Sequence, residues 1–268
     1  MEEQKINALV NIGQSKLVEK GYDDIFSPPS KKVGSALSTI IDISNTILWP
    51  IKWVNERTRI YFENNIKKYE ERISKIPDEK IVEVPTEISM PIIERFSYVS
   101  NEQLSNAFVS LLTSASSSDT IEFAHPGFIA VIDRLSPDEA KILIYFRSNE
   151  AIAKLDIKLR NPENATYKYI VQNETGLTGE LGLKFPQNIR LYLDNLVSLG
   201  IVQITDYFQT DLEEKFSAIE ANFVGSYNSY KKEGETDEQH QKRKQVDKGM
   251  YLLTDYGRLF IRACITNG

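Results

Sequence analysis

Apolar residues in this chain recur mostly at three- and four-residue steps, the signature of helices packed along one face. A short helical pattern around Ile6, Leu9, Val10 and Leu17 ends in the breaker Ser27-Pro28-Pro29-Ser30. The most apolar stretch, 34–54, carries Leu37, Ile40, Ile41, Ile47, Leu48, Ile51 and Val54 as a stripe, and Pro50 is placed to kink or end it. Residues 56–75 form an amphipathic helix, with Phe62, Ile66, Tyr69 and Ile73 on the dry side and mixed charge on the wet side. An extended linker over 77–84 leads to a helix over 87–99 with Pro91 in its first turn or at a kink. Ser100 is placed to cap a helix over 101–114 whose buried face is Leu104, Phe108, Leu111 and Leu112. The serine run 114–119 reads as a flexible break. His125-Pro126 opens the next helix, with Phe128, Val131, Ile132 and Leu135 as its stripe. Ser136-Pro137-Asp138-Glu139 combines a cap, a first-turn proline and an acidic first turn, a strong start signal for a helix over 140–147.

The second half changes rhythm. Segments 154–159 and 165–172 read as either strand or loop, and glycine-rich 176–182 as a mobile loop. Phe185-Pro186 opens a helix with Ile189, Tyr192, Leu193, Leu196 and Leu199 at helical spacing, and Gly200 stops it. Ile201-Val202-Gln203-Ile204 continues as a strand, 250–253 returns as another, and Thr254-Asp255-Tyr256-Gly257 starts a closing helix. This order resembles a winged helix, with an excursion over 206–249 too long for a simple wing. The excursion holds a helix over 211–223 and a charged segment over 231–248, read as a solvated loop. The expected fold is therefore mainly α with a small β component. It divides into a terminal helix and linker (1–32), amphipathic helices (33–76), a helical core module (77–135) and a winged-helix-like domain with its insertion (136–268).

Composition narrows the chemistry. The chain has 268 residues, 41% hydrophobic and 26% charged, with 32 basic and 38 acidic side chains for a net charge of −6. That balance gives no general attraction to phosphate. One cysteine, Cys264, leaves no partner for an internal disulfide, and two histidines, His125 and His240, are too few for a histidine metal cluster. No phosphate loop, nucleophile elbow or zinc-binding helix motif occurs, so no cofactor is expected. The start, Met1-Glu2-Glu3-Gln4-Lys5, has neither the basic residues nor the apolar run of a signal peptide. The expected location is the cytoplasm, with peripheral contact to the inner membrane as an option.

An ordered set of blocks spanning about residues 30–205 resembles the prokaryotic abortive-infection alpha family. These blocks are Val84-Pro85-Thr86-Glu87-Ile88 with Pro91-Ile92, the run 101–115, His125-Pro126-Gly127-Phe128, 135–140, and 191–196 with Leu199-Gly200-Ile201. Two departures stand out: Ser116-Ser117-Ser118-Asp119 replaces the family's Met-Asp, and Gly127 stands where a serine is usual. The resemblance implies a phage-resistance protein of bacterial or mobile-element origin and names no catalytic residue. It marks Pro85, Pro91, Leu104, Phe108, Leu111, Leu112, His125, Pro126, Phe128, Leu193, Leu196 and Gly200 as family positions, each with a structural reading. His125 in particular reads as a helix cap, and Asp138-Glu139 as a first-turn dipole pair.

Three functions follow as expectations. The first is a non-enzymatic defence protein working through a protein partner or self-association. The second is a membrane-acting effector that inserts 34–54, with Trp49 and Trp53 as interface anchors. The third is a DNA-binding regulator that reads bases with Gln187, Asn188 and Arg190. The candidate reading face of the last, Gln187, Asn188, Arg190, Asp194, Asn195 and Ser198, carries no net charge, which weighs against nucleic acid. The spanning alternative is weak because about 20 consecutive apolar residues are needed and Asp42, Asn45 and Lys52 interrupt this stretch.

Overall fold

A computed structural model describes residues 30–52, 56–206 and 212–265, with the side chains of Ile41, Thr178 and residues 43–52 outside that description. The helical pattern at 6–17, its proline-serine breaker up to Pro29, Trp53 and the Trp49 side chain fall outside it. The architecture is mainly helical with one small antiparallel sheet.

Helix α1 (Lys31–Lys52) runs two residues beyond Pro50 and packs through Val33, Leu37 and Ile40. Helix α2 (Glu56–Ile73) buries Phe62, Asn65, Ile66, Tyr69 and Ile73. Helix α3 (Thr86–Phe96) keeps Pro91 inside it and buries Ile88, Ile92, Ile93 and Phe96. Helix α4 (Glu102–Ala115) is the hub. Its cap is Asn101 rather than Ser100, because the Asn101 carboxamide accepts from the Leu104 N–H at 3.1 Å. Ser105, Ala107, Ser110, Ser114 and Ala115 lie buried along it beside Phe108, Leu111 and Leu112. Small residues on several sides let α2, α3 and the helices below approach its axis closely.

The serines after α4 are not a flexible break. Ser114 donates to the Ala263 carbonyl at 3.0 Å, and Ser116 shares a 2.7 Å hydrogen bond with the Tyr69 hydroxyl. Ile81 bridges Ser117, which ties the linker over 77–84 to the same point. A polar run stays ordered here because each buried hydroxyl finds a partner.

Short helix α5 (Gly127–Asp133) and helix α6 (Pro137–Ser148) follow. Ser136 and Glu139 close a capping box at the start of α6. Strands β1 (Ala151–Arg160) and β2 (Tyr167–Glu174) settle the two ambiguous segments as sheet. Helix α7 (Ile189–Ser198) ends in a Schellman motif: Gly200, at φ +72, donates to the Val197 carbonyl and Ile201 to that of Leu196. Strand β3 (Val202–Thr205), helices α8 (Glu213–Asn222), α9 (Val224–Asn228) and α10 (Asp237–Arg243), strand β4 (Lys244–Leu253) and helix α11 (Asp255–Cys264) complete the order.

The sheet order is β2-β1-β4-β3, every neighbour antiparallel. Strict alternation gives the sheet two dry faces. Ile152 and Tyr251 enter the main core, which extends from Val33 to Ile265. Ala153, Leu155, Ile157, Leu159 and Met250 enter a second core closed by Phe216 and Ile219 of α8 and by Tyr227 of α9.

Three readings of the second half change. The returning strand begins at Lys244, six residues before the expected 250. The glycine-rich segment is anchored by buried Leu177 and Leu183, with Gly176 and Gly182 at positive φ making the bends. The charged segment is an ordered helix joined to a strand rather than a loop, with most of its charges still exposed. Glu235 accepts from Arg243 at 2.7 Å, Lys242 pairs with Glu238, and Lys244 pairs with Glu220. The Tyr227 hydroxyl donates to the His240 carbonyl at 2.6 Å and the two rings stack at 4.3 Å. Arg243, with the Lys232 N–H, pulls the Glu235 carboxyl down to about 2. The basic run 242–244 is thereby neutralised within its own neighbourhood.

Candidate functional site

The outward face of α7 and the frame that holds it form the best-defined surface of the molecule. The chain folds this way locally because Ile189, Tyr192, Leu193 and Leu196 form one buried stripe, which turns Arg190, Leu191, Asp194 and Ser198 outward, with Gln187 just ahead of them. Leu191 is 63% exposed, the highest value among the exposed large hydrophobic residues, and Phe185 at the helix entrance is 46% exposed.

Behind this face stands a buried polar lock that the sequence reading missed. Asp138 does more than complement a helix dipole. Its carboxylate accepts from the backbone N–H of Lys184 (2.8 Å) and Phe185 (2.9 Å) and from the Tyr192 hydroxyl (3.1 Å). Burial alone would raise its pKa, but these donors outweigh burial and hold the carboxyl below its ordinary value. Glu139, equally buried, accepts from the Asn195 amide at 2.7 Å while it closes the α6 capping box. Asn195 also donates to the Arg134 carbonyl at 3.1 Å, so it belongs to the frame rather than to a free reading face. Asn188, half-buried, lies at the junction of a 3-10 turn (Pro186–Asn188) with α7. Of the three residues expected to contact bases, Gln187 and Arg190 remain fully on the surface.

Beneath α7 the sheet carries charge inside the fold. Lys154 and Asp156 pair at 3.0 Å, both nearly buried, and Asp156 also accepts from the Asn173 N–H at 2.6 Å across a bulge in the β1–β2 pairing. Lys158 pairs with Asp247 of β4. The Tyr251 hydroxyl is buried without a hydrogen-bond partner among the described residues. Burial first, then the negative charges of Asp194 and Asp156, push it up to about 12.

The remaining sequence candidates do not converge. His125 is exposed; its Nδ1 accepts from the Gly127 N–H at 3.0 Å and its ring leans toward Phe128 and Tyr256. A side chain at 127 would meet His125 Nδ1 at 2.8 Å, so the glycine and this turn go together. Among the described residues no acid lies within ion-pair reach of His125, and no group of three His, Cys, Asp or Glu side chains is placed to hold a metal. Cys264 is buried, which pushes its thiol well up and leaves it unreactive. Two grooves, of about 380 Å³ between α1 and 81–89 and about 410 Å³ between α2 and the start of α4, contain neither histidine nor cysteine. Leu37 and Ile40, the first part of the proposed membrane stripe, lie in the main core, and among the described residues no helix is long and apolar enough to cross a membrane.

A family model described as abortive infection alpha matches residues 61–264. The chain belongs to the abortive infection alpha family. The match continues past residue 205, through the insertion to the end of α11, so the whole sheet is part of the family pattern. No curated protein matches. A solved structure titled as an uncharacterized protein from the hydrocarbon-degrading marine bacterium Alcanivorax borkumensis SK2 aligns with 56% of this chain and 99% of its own length, at 17% identity and a TM-score of 0.34.

The abortive infection alpha positions are distributed through the fold rather than gathered at one point. Phe108, Leu111, Leu112 and Phe128 fill the main core around α4 and α5, with Leu104 packed at its edge, and Leu193 and Leu196 enter it from α7. Pro85 precedes α3, Pro91 sits inside it, Pro126 precedes α5, and Gly200 ends α7. Asn65 went unnoticed in sequence although it falls within the apolar stripe of α2. Buried there, it donates to the carbonyls of Phe96 (3.0 Å) and Val99 (3.2 Å) and accepts from Ser105.

Proposed function

We propose that this abortive-infection protein acts without chemistry of its own, by holding a protein partner against the outward face of α7. One observation carries the reading: a rigidly backed helix presents an apolar centre, Leu191, among side chains that sum to zero charge. Exposed apolar surface ringed by polar groups suits a protein contact better than a phosphate backbone, which calls for several unpaired Lys or Arg. The neutralised run 242–244 offers nucleic acid no alternative foothold.

The order α6, β1, α7, β3, β4, with β4 pairing both β1 and β3, supports reading 137–264 as a winged-helix variant. Strand β2 and helices α8 to α10 would be its additions. On this reading α7 occupies the position of the recognition helix, turned to protein instead of a groove.

The test is phage plating on cells carrying the chain with Leu191→Glu, alongside crosslinking of the purified protein's partners from infected cells. We expect affinity for the partner to fall by at least about tenfold, the equivalent of about 1.4 kcal/mol, and protection to fall with it, with folding unchanged. Full protection by the variant would refute the reading, as would turnover of a substrate by the purified chain.

A further inference from the structure

The exposed face of α7 is complementary to itself. Arg190 and Asp194 stand one turn apart on either side of Leu191, and neither forms an ion pair with any described residue. A basic residue placed four positions before an acidic one is the poorer orientation for pairing within a helix. Both charges are therefore available to another molecule.

Consider a two-fold axis through the centre of this face, with a second α7 laid antiparallel across it. With the axis level with residue 192, Leu191 lies beside its own symmetry mate, offset by about 3 Å along the helix. Arg190 of each copy comes opposite Asp194 of the other, and the Gln187 carboxamide comes opposite the Ser198 hydroxyl. Every group on the face finds a partner of the right kind, and both ion pairs form at once because an isologous contact repeats each interaction. Phe185 lies at the margin, where it adds apolar cover. The Asp138–Tyr192 and Glu139–Asn195 hydrogen bonds already fix α7 from behind, so docking orders little that is not ordered beforehand.

We infer that the partner of this face is a second copy of the chain, paired through antiparallel α7 helices about a two-fold axis. The inference rests on the reading that α7 is the protein-contact surface, and adds the identity of the partner. A contact of one helix face belongs to the small class of interfaces, below about 1,200 Å², so its affinity falls in the micromolar range.

Light scattering after size exclusion tests it, with the full chain loaded at about 100 µM so that a micromolar contact is occupied. The expected mass is twice the 30.6 kDa of the chain. Arg190→Glu and Asp194→Arg should each run as monomers with unchanged circular dichroism. Their equimolar mixture should run as a dimer, since each brings the charge the other lacks, and the double variant Arg190→Asp/Asp194→Arg should dimerise by itself. A monomeric wild type, a dimer retained by both single variants, or a mixture that stays monomeric would each overturn the inference. Phage plating separates this from the function itself. A monomeric wild type whose protection is still lost on Leu191→Glu overturns self-pairing alone. A wild-type dimer that Leu191→Glu dissolves without loss of protection supports self-pairing and removes its role in defence.

Discussion

Gly257→Ala sets two well-known effects against each other, and the geometry decides between them. Gly257 lies in the first turn of α11, where alanine would ordinarily stabilise the helix by about 1 kcal/mol. A Cβ at this position, however, would stand 2.0 Å from the Ile201 carbonyl oxygen and 2.9 Å from its carbon. That oxygen cannot turn away, because it accepts from the Thr254 N–H at 3.0 Å, while Thr254 also caps α11 and donates to the Gly200 carbonyl. Restoring an ordinary contact moves α11 back by about 1 Å, enough to forfeit a large part of the dispersion along its buried face. That face holds Phe260, Ala263 and Cys264, together with the Ser114 bond to the Ala263 carbonyl. Overpacking of this kind costs about 1–3 kcal/mol, and the backbone contact places it at or above the upper end. Net of the propensity gain, we expect a loss of about 2–3 kcal/mol and a midpoint lowered by about 4–12 °C. Urea denaturation with an unchanged slope measures it. Gly225→Ala on α9, where an added Cβ meets nothing within 4 Å, is the matched control and should be neutral or slightly stabilising. If Gly257→Ala is as stable as wild type, the tight seat of α11 on β3 is wrong.

Three further outcomes follow from buried polar groups. Asn65→Ala strands the Phe96 and Val99 carbonyls and should cost about 2–4 kcal/mol in denaturant melts; a loss below about 1 kcal/mol would mean water serves those carbonyls as well. Tyr251→Phe removes a hydroxyl that is buried without a partner, so it should be neutral or stabilising by up to about 1 kcal/mol; a thermal midpoint several degrees lower would reveal a bond to that hydroxyl. Asp138→Asn should cost about 2–3 kcal/mol at neutral pH, because an amide cannot accept from both N–H groups. The folded carboxyl sits below its ordinary 3.8, so its contribution is complete above that value and is lost as pH falls through the lower folded one. The difference between the two proteins should therefore shrink in acid, and a gap constant down to strong acid would contradict the assignment.

What could be read from sequence was local. The Ser136-Pro137 start of α6, the stripe of α7 and its glycine stop each depend on residues within a turn or two, and each appears where expected. What could not be read depends on distant partners. Segment 154–159 reads from sequence as either strand or loop; its main neighbour is β4, and the Lys158–Asp247 pair joins residues 89 positions apart. The serines after α4 have the composition of a loop and are buried because Tyr69 and Ala263 reach them from elsewhere. Charges over 231–248 have the composition of a loop until Glu220 and Glu235 are placed beside them. Asp138 and Glu139 displayed a helix-start signal, which concealed their second use in fastening α7.

The seat of α11 against α4 also sets an order of events during synthesis. Ser114 and the Ala263 carbonyl that receives its hydrogen bond are 149 positions apart, and the strand that pairs with β1 is made only after the whole insertion. A ribosome that stalls before β4 is made therefore holds a chain with β1 unpaired on one side and the hub helix uncovered at one end. Such a fragment exposes apolar surface and an open strand edge, which makes it material for proteases and chaperones.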